Sequence, residues 1–274
     1  MDQTIKAKYE RLKEIFQSMG RVVVAYSGGV DSTLLLKTAK DALGDENVVA
    51  VTALSPLYPD RELAGAKRLT QEMGIRHHLI KSNELEIEGF SKNPPNRCYY
   101  CKKELFGELK NLAKKEGIPF VVEGSTLDDE KDHRPGRRAI QELGIRSPLK
   151  EAMFTKEEVR ELSNALGLTT WDKPSFACLA SRFPYGEEIT IEELKRVDEA
   201  ESFLFGLGFR QVRVRHHGNL ARIEIYPEEI DRLMDKSLRE KVLNHLKKIG
   251  YHYITVDLQG FRSGSMNEVL GGDL

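Results

Sequence analysis

A short apolar strand, followed at once by a glycine-rich turn and a helix, constrains this chain more than any other feature. Residues 21–26 form an apolar, β-branched run, which is typical of a strand covered on both faces of a sheet. The turn Ser27-Gly28-Gly29 follows, and apolar residues at 34–36, 39 and 43 continue the chain as a helix. Open α/β sheets bind their ligands at the carboxyl ends of parallel strands, so the segment predicts a ligand-binding turn at the end of this strand.

The same alternation of strands and helices continues to about residue 170. It predicts an α/β fold, with a parallel sheet and helices on both of its faces. The predicted strands are 48–54, 77–80 and 120–123, and the predicted helices are 3–19, 60–73, 98–116 and 155–166.

The pattern changes after residue 170. Residues 171–185 lack a clean periodicity and predict an ordered loop or linker. The remainder predicts a smaller C-terminal α+β domain, with helices at 190–205 and 228–248 and strands at 211–215, 221–226 and 251–257. We therefore expect two domains, 1–185 with all the cysteines and 186–274.

Composition and charge exclude several classes of protein. Hydrophobic residues make up 40% and charged residues 31% of the chain, which excludes a disordered tail protein and a membrane protein. Lys and Arg total 42 against 43 for Asp and Glu, so the net charge of −1 argues against a nucleic-acid partner. The first residues lack a basic and apolar leader, and we expect a cytoplasmic location.

The turn after the first strand has the composition of a phosphate site. Its glycines allow an anion to approach the backbone, and the following helix N-terminus offers free N–H groups. Asp31 is suited to a Mg²⁺ ion that bridges phosphates. The alternative is an ordinary glycine-rich turn. The predicted ligands of such phosphates and their Mg²⁺ are Ser27, Gly28, Gly29, Asp31, Ser32 and Thr33.

No lysine comes directly after the glycines, so the common phosphate-loop NTPase motif is absent. The sequence Ser-Gly-Gly-x-Asp-Ser-Thr instead resembles the PP-loop pyrophosphatase superfamily, whose fold is similar to that of the adenine nucleotide alpha hydrolases. That resemblance implies transfer of AMP to an oxygen of the substrate, with release of pyrophosphate.

Three cysteines are too few for a disulfide framework, so their placement is informative. Cys98 and Cys101 lie on one face of a predicted helix, and Cys178 lies far along the chain. Three thiolates can hold a 4Fe–4S cluster with one open iron. The alternatives are a sulfur-handling Cys178 without a cluster, a zinc site completed by His133, and buried structural cysteines.

Three segments together resemble the LarE family: the PP-loop, residues 123–136, and residues 173–182. The resemblance covers nearly the whole chain. It implies ATP-dependent sulfur transfer in the biosynthesis of the nickel-pincer nucleotide cofactor. Mg·ATP would adenylylate a carboxylate of pyridinium-3,5-biscarboxylic acid mononucleotide, and a protein-held sulfur would then displace AMP to give a thiocarboxylate.

The same family has two branches that differ in the source of sulfur. One branch sacrifices a single cysteine, at the position of Cys178, and leaves dehydroalanine. The other carries three cysteines that hold a 4Fe–4S cluster, and Cys98 and Cys101 place this chain with it. The resemblance also implies a homo-oligomer, a separate sulfur source and a downstream nickel-inserting enzyme.

Two further groups of polar residues are candidate ligands. By similarity to PP-loop proteins, Glu130 is favoured as a second Mg²⁺ ligand, the alternative being a solvated acidic loop balanced by nearby arginines. Arg213 and Arg215 lie on one face of a predicted strand and suit the phosphate monoester of a mononucleotide. For this pair the alternative is a solvated strand face.

Three other functions are compatible with parts of this pattern. A tRNA thiolase can also combine a PP-loop with a C-x-x-C pair and a distant cysteine. An adenine-nucleotide sensor would bind ATP without turnover, and an amidotransferase would need a glutaminase pattern, which is not visible here.

Overall fold

The computed structural model describes residues 2–130 and 135–270. By packing, the chain divides into two compact units. Met1–Glu84 and Asn96–Phe176 form the first, and Leu85–Pro95 and Ala177–Leu274 form the second. The division into domains 1–185, for ATP binding and adenylylation, and 186–274, for substrate binding or oligomerisation, stays a prediction.

The first unit contains a four-stranded parallel sheet in the order β3-β2-β1-β4. Val22 of β1 lies opposite Val48 of β2 and Phe120 of β4. The parallel sheet predicted from the alternation of elements is confirmed. Its strands are β1 (Val22–Ala25), β2 (Val48–Leu54), β3 (Arg76–Lys81) and β4 (Phe120–Val122).

Helices pack on both faces of this sheet because successive side chains of a strand point in opposite directions. Val22 and Val24 of β1 belong to one hydrophobic core, whereas Val23 between them belongs to another. The first core also takes residues from α1, α2, α3, α6 and α7, and the second takes residues from α4 and α5. These helices are α1 (Gln3–Met19), α2 (Val30–Leu43), α3 (Asp60–Glu72), α4 (Arg97–Lys115), α5 (Gly136–Glu142), α6 (Pro148–Glu151) and α7 (Lys156–Ala165).

The second unit has a three-stranded sheet in the order β5-β6-β7, in which β5 and β6 are antiparallel and β6 and β7 are parallel. Helices cover one apolar side of it, as the prediction of a small α+β domain requires. The elements are α8 (Ile191–Gly206), β5 (Val212–His217), β6 (Leu220–Ile225), α9 (Ile230–Met234), α10 (Lys236–Lys248) and β7 (Tyr253–Val256).

The helix predicted over 228–248 was wrong in one respect, because it is interrupted at Asp235. That residue has an extended backbone, and its carboxylate accepts a hydrogen bond from the Leu238 N–H at 2.9 Å. Asp235 thus ends one helix and caps the next, which the apolar spacing alone does not reveal. The short helices α5 and α6 were likewise not predicted from the spacing of apolar residues.

Across residues 2–130 and 135–270, none of the helices has the length and apolar character that crossing a membrane requires.

Candidate active site

The glycine-rich turn lies at the carboxyl end of β1, between that strand and α2. Gly28 has a φ of +63°, and a Cβ atom there would lie 3.1 Å from the Cβ of Ala66 in α3. Both the left-handed backbone and the close helix therefore require glycine at this position. Gly29 is the N-cap residue of α2, so the free N–H groups of the first helical turn lie directly after the turn.

A network of hydroxyl groups stabilises the turn. The Oγ atoms of Ser27 and Ser32 lie 3.1 Å apart, and Ser32 Oγ donates to the Gly29 carbonyl at 3.3 Å. Thr33 is fully buried, and its hydroxyl lies 3.4 Å from that of Tyr26. Ser27 is the most exposed of these residues, so an anion at the helix N-terminus would meet it first.

The chain that follows β4 passes close to the same helix N-terminus. A Cβ atom at Gly124 would lie 3.2 Å from the Ser32 nitrogen and 3.3 Å from the Asp31 Cβ. Glycine therefore allows the carboxyl ends of β1 and β4 to converge on the half-buried Asp31. Sequence reasoning missed this role of Gly124, which lies within residues 123–136.

Lys173 reaches the turn from far along the chain. Its Nζ donates to the Gly28 carbonyl at 2.9 Å and pairs with the Glu62 carboxylate at 2.6 Å. Arg160 supports this arrangement from α7, because its guanidinium donates to the carbonyls of Trp171 and Lys173 at 2.8 Å. Sequence reasoning missed Lys173, although it opens the segment that carries the family resemblance.

The cysteines lie in both units. Cys98 and Cys101 are half-buried and share the N-terminal part of α4, as predicted. Cys178 belongs to the second unit, where it is half-buried and precedes a short 3-10 helix at Leu179–Arg182. The donor chemistry suits iron, since thiolates are the usual ligands of iron–sulfur clusters. Binding of one cluster by all three cysteines stays a prediction.

Within residues 2–130 and 135–270, no group of three or more His, Cys, Asp or Glu side chains lies closely enough together to hold a metal ion. His133, the candidate fourth ligand of a zinc site, lies outside the described residues, as do Asp132 and Arg134 of the acidic loop.

Arg182 holds the backbone of the Cys178 segment in place. Its fully buried guanidinium donates to the carbonyls of Ala177 at 2.6 Å and Cys178 at 3.1 Å. It also donates to both carboxylate oxygens of Glu201, at 2.8 and 2.9 Å. Burial alone would raise the pKa of Glu201, but the charges of Arg182 and Arg213 outweigh it and lower that pKa.

We expect Arg182→Met to lower the free energy of unfolding by about 3–5 kcal/mol, because it removes one partner of a buried ion pair. The control is Arg138→Met, whose side chain is 74% exposed and pairs with Glu142 at 2.6 Å. That change should have a far smaller effect, because solvent screens an exposed ion pair. Urea unfolding followed by circular dichroism measures both, and equal costs would refute a supporting role for Arg182.

Arg213 and Arg215 do not lie on a solvated strand face, since they are only 5% and 8% exposed. Arg215 donates to both carboxylate oxygens of Glu224 at 2.8 Å and to the Ser265 hydroxyl at 2.8 Å. Burial and repulsion from Arg182 lower the pKa of Arg213 to about 9, so its guanidinium stays charged at neutral pH.

A cavity of about 170 Å³ opens beside Arg215 in the second unit. Three further arginines contribute to its lining, against the single carboxylate of Glu268: Arg182, Arg222 and Arg262. Ser181 and Tyr185 add hydroxyl groups. The cavity therefore combines positive charge with hydrogen-bond donors, which suits a phosphate group.

Glu130 lies in a short 3-10 helix after β4 and is exposed. Its carboxylate accepts a hydrogen bond from Lys150 and lies 3.7 Å from Arg137, and the contact with Lys150 lowers the pKa of Glu130. The neighbouring Asp129 pairs with Lys156 at 2.9 Å. Both carboxylates are thus balanced by cations, and a Mg²⁺ role for Glu130 stays a prediction.

A parallel sheet with a glycine-rich, lysine-free turn between β1 and α2 and an aspartate in the first helical turn defines a protein of the PP-loop class. Comparison with known proteins agrees, because the NAD synthase family model matches residues 5–94.

Relatives that match a larger part of the chain identify the family within this class. A pyridinium-3,5-bisthiocarboxylic acid mononucleotide synthase of Lactiplantibacillus plantarum is 41% identical over 97% of this chain and 96% of its own length. An uncharacterized protein of Synechocystis sp., slr1717, is 47% identical over 97% and 99%. A tRNA-specific 2-thiouridylase of Caldanaerobacter subterraneus is 27% identical over 56% of this chain and 53% of its own length. The chain belongs to the family of the first of these proteins, the LarE family.

Proposed function

We propose that this protein is an ATP-dependent sulfurtransferase of nickel-pincer nucleotide biosynthesis. It would convert the two carboxylates of pyridinium-3,5-biscarboxylic acid mononucleotide into thiocarboxylates, one after the other. The observation that carries this proposal is the identity of 41% to the synthase over nearly the full length of both chains. The convergence of β1 and β4 on a turn suited to pyrophosphate supports it.

In the first step, a substrate carboxylate oxygen attacks the α-phosphorus of Mg·ATP. The bond between the α-phosphorus and the bridging oxygen breaks, and pyrophosphate leaves. Asp31 would hold the Mg²⁺ ion, with Glu130 as a second candidate ligand. The N–H groups of the turn and the hydroxyls of Ser27, Ser32 and Thr33 would stabilise the charge of the departing pyrophosphate.

In the second step, sulfur attacks the acyl carbon and AMP leaves with its electron pair. We propose that Cys98, Cys101 and Cys178 hold a 4Fe–4S cluster. When bound, such a cluster would supply sulfide-level sulfur for the transfer. The alternative is a single-use donor, in which Cys178 itself gives up its sulfur and becomes dehydroalanine.

We propose that Arg213 and Arg215 recognise the phosphate of the mononucleotide. Arg213→Ala should raise the KM for the mononucleotide about tenfold, because a hydrogen bond between charged groups is lost, while ATP affinity stays unchanged. The exposed Arg210 provides the matched control as Arg210→Ala. Steady-state kinetics with each substrate varied in turn measures both effects. An unchanged KM for Arg213→Ala would remove that residue from the substrate site.

The decisive experiment combines iron and acid-labile sulfide analysis of protein prepared without oxygen with an assay of pyrophosphate release. About four irons per chain, lost when any of the three cysteines is replaced, is the expected result for a cluster. Absence of iron, with Cys178 losing the mass of hydrogen sulfide after turnover, would instead establish the single-use donor. No pyrophosphate release on adding the dicarboxylate would refute the proposal.

A tRNA thiolase is the second candidate, because the 2-thiouridylase of Caldanaerobacter subterraneus is related over half of this chain. The net charge of −1 argues against it. A gel shift with bulk tRNA at moderate salt distinguishes the two, since binding would favour the thiolase.

The remaining proposals concern the cellular setting. We infer a cytoplasmic enzyme that acts as a homo-oligomer. A separate sulfur source would reload it, and a nickel-inserting enzyme would take its product.

A further inference from the structure

Two successive carbonyl groups of the glycine-rich turn are held by side chains from elsewhere in the first unit. The Tyr58 hydroxyl donates a hydrogen bond to the Ser27 carbonyl. The Lys173 ammonium donates to the Gly28 carbonyl at 2.9 Å. Both donors come from outside the turn, so their contacts are tertiary.

These two carbonyls determine where two N–H groups point. A peptide unit is planar and trans, so its C=O and N–H bonds point in opposite directions. The Ser27 carbonyl shares its unit with the Gly28 N–H, and the Gly28 carbonyl shares its unit with the Gly29 N–H. Holding both carbonyls on the side of Tyr58 and Lys173 therefore turns both N–H groups toward the opposite side.

Each of the two donors is also fixed by a contact with another side chain of the first unit. Lys173 is also paired with Glu62 at 2.6 Å, with their side chains only 26% and 14% exposed. The Tyr58 ring packs edge-on against Phe176, with ring centroids 5.7 Å apart. Burial and the nearby Glu62 carboxylate raise the pKa of Tyr58, so its hydroxyl keeps the proton that it donates.

We propose that Tyr58 and Lys173 are positioning residues that orient the peptide units 27–28 and 28–29 so that their N–H groups bind the pyrophosphate of ATP. Two adjacent glycines would otherwise let these units rotate freely, because glycine accepts many backbone conformations. This inference rests on the proposed function. It assigns Lys173 to the backbone carbonyl and not to the phosphate.

The test measures binding of Mg·ATP, inorganic pyrophosphate and AMP by isothermal titration calorimetry. Lys173→Met and Tyr58→Phe should each weaken ATP and pyrophosphate binding about tenfold, since each removes one orienting hydrogen bond. AMP binding should not change, because AMP lacks the pyrophosphate. Lys173→Arg should retain ATP affinity, since it still offers a donor to the Gly28 carbonyl.

A matched control exists in α1. Lys8 has the same pair of contacts as Lys173, a backbone carbonyl (Met153, 2.7 Å) and a glutamate (Glu158, 2.6 Å). Lys8→Met should therefore leave ATP and pyrophosphate affinity at the wild-type value. Equal weakening by Lys8→Met and Lys173→Met would mean a general loss of packing and would overturn the proposal.

Glu62→Gln separates an orienting lysine from one that binds phosphate. We expect this variant to weaken ATP binding, because Lys173 loses the partner that holds it beside Gly28. Tighter binding would show that the released lysine moves to the phosphate, and would overturn the proposal. Wild-type affinity in both Lys173→Met and Tyr58→Phe would also overturn it while leaving the proposed function intact. Failure of the wild type to bind ATP would overturn both.

Discussion

Replacing Cys178 by alanine is expected to abolish formation of the thiocarboxylate, while pyrophosphate release from ATP continues. The thiol is required in both sulfur mechanisms, either as an iron ligand or as the donor itself. The Cys178 carbonyl accepts a hydrogen bond from Arg182 at 3.1 Å, and this contact does not depend on the sulfur. Mass spectrometry of the product, together with a coupled pyrophosphate assay, measures the two half-reactions separately.

The other two cysteines supply the matched comparison. If a cluster delivers the sulfur, Cys98→Ala and Cys101→Ala should abolish transfer as completely as Cys178→Ala does. If Cys178 is a single-use donor, both variants should still make one thiocarboxylate per chain. Thiocarboxylate made by Cys178→Ala at the wild-type rate would remove Cys178 from either mechanism.

Asp31→Asn should reduce substrate-dependent pyrophosphate release by at least about a hundredfold, because a neutral amide is a weaker ligand than a carboxylate for the Mg²⁺ ion that neutralises the phosphate charge. The fold should survive, since the substitution keeps the shape of the side chain. Loss of a negative charge in the first turn of α2 costs only about 0.3–1 kcal/mol of stability. Initial rates measured over a range of Mg²⁺ concentrations test this expectation.

Asp41→Asn is the control for that substitution, because Asp41 lies near the end of the same helix and pairs with Lys37. It should leave pyrophosphate release unchanged. Wild-type release in Asp31→Asn would contradict the assignment of Mg²⁺ to Asp31. An equal loss of pyrophosphate release in both variants would mean that the substitutions disturb the helix and that Mg²⁺ binding is not the cause.

Much of the first unit follows from local patterns. The apolar run at 21–26 and the two glycines predict β1 and the turn because a doubly covered strand needs apolar side chains on both sides. The helices with a clear apolar stripe, such as α1 and α4, appear at their predicted positions. The short α5 and α6 were not predicted, since four to seven residues contain too little periodicity to identify a helix.

The contacts around the turn could not be predicted in the same way. Lys173 lies 145 residues from Gly28 in the chain, and no local pattern predicts which carbonyl group a lysine contacts. The Tyr58 hydroxyl and the backbone of Gly124 likewise reach the turn only through the packing of the first unit. Such contacts depend on which strands are neighbours, and the order β3-β2-β1-β4 is a tertiary property.

Local sequence patterns were enough to predict the α/β class, the PP-loop between β1 and α2, and the three cysteines as candidate functional residues. They were enough because a turn's glycines, a strand's apolar faces and a thiol's chemistry are local properties. The burial of Arg213 and Arg215 depends on tertiary packing, since alternation along a strand gives the face of a side chain but not what covers it. Only the structure showed that Arg182 supports the Cys178 backbone through a buried pair with Glu201, because charge in a sequence carries no information about burial.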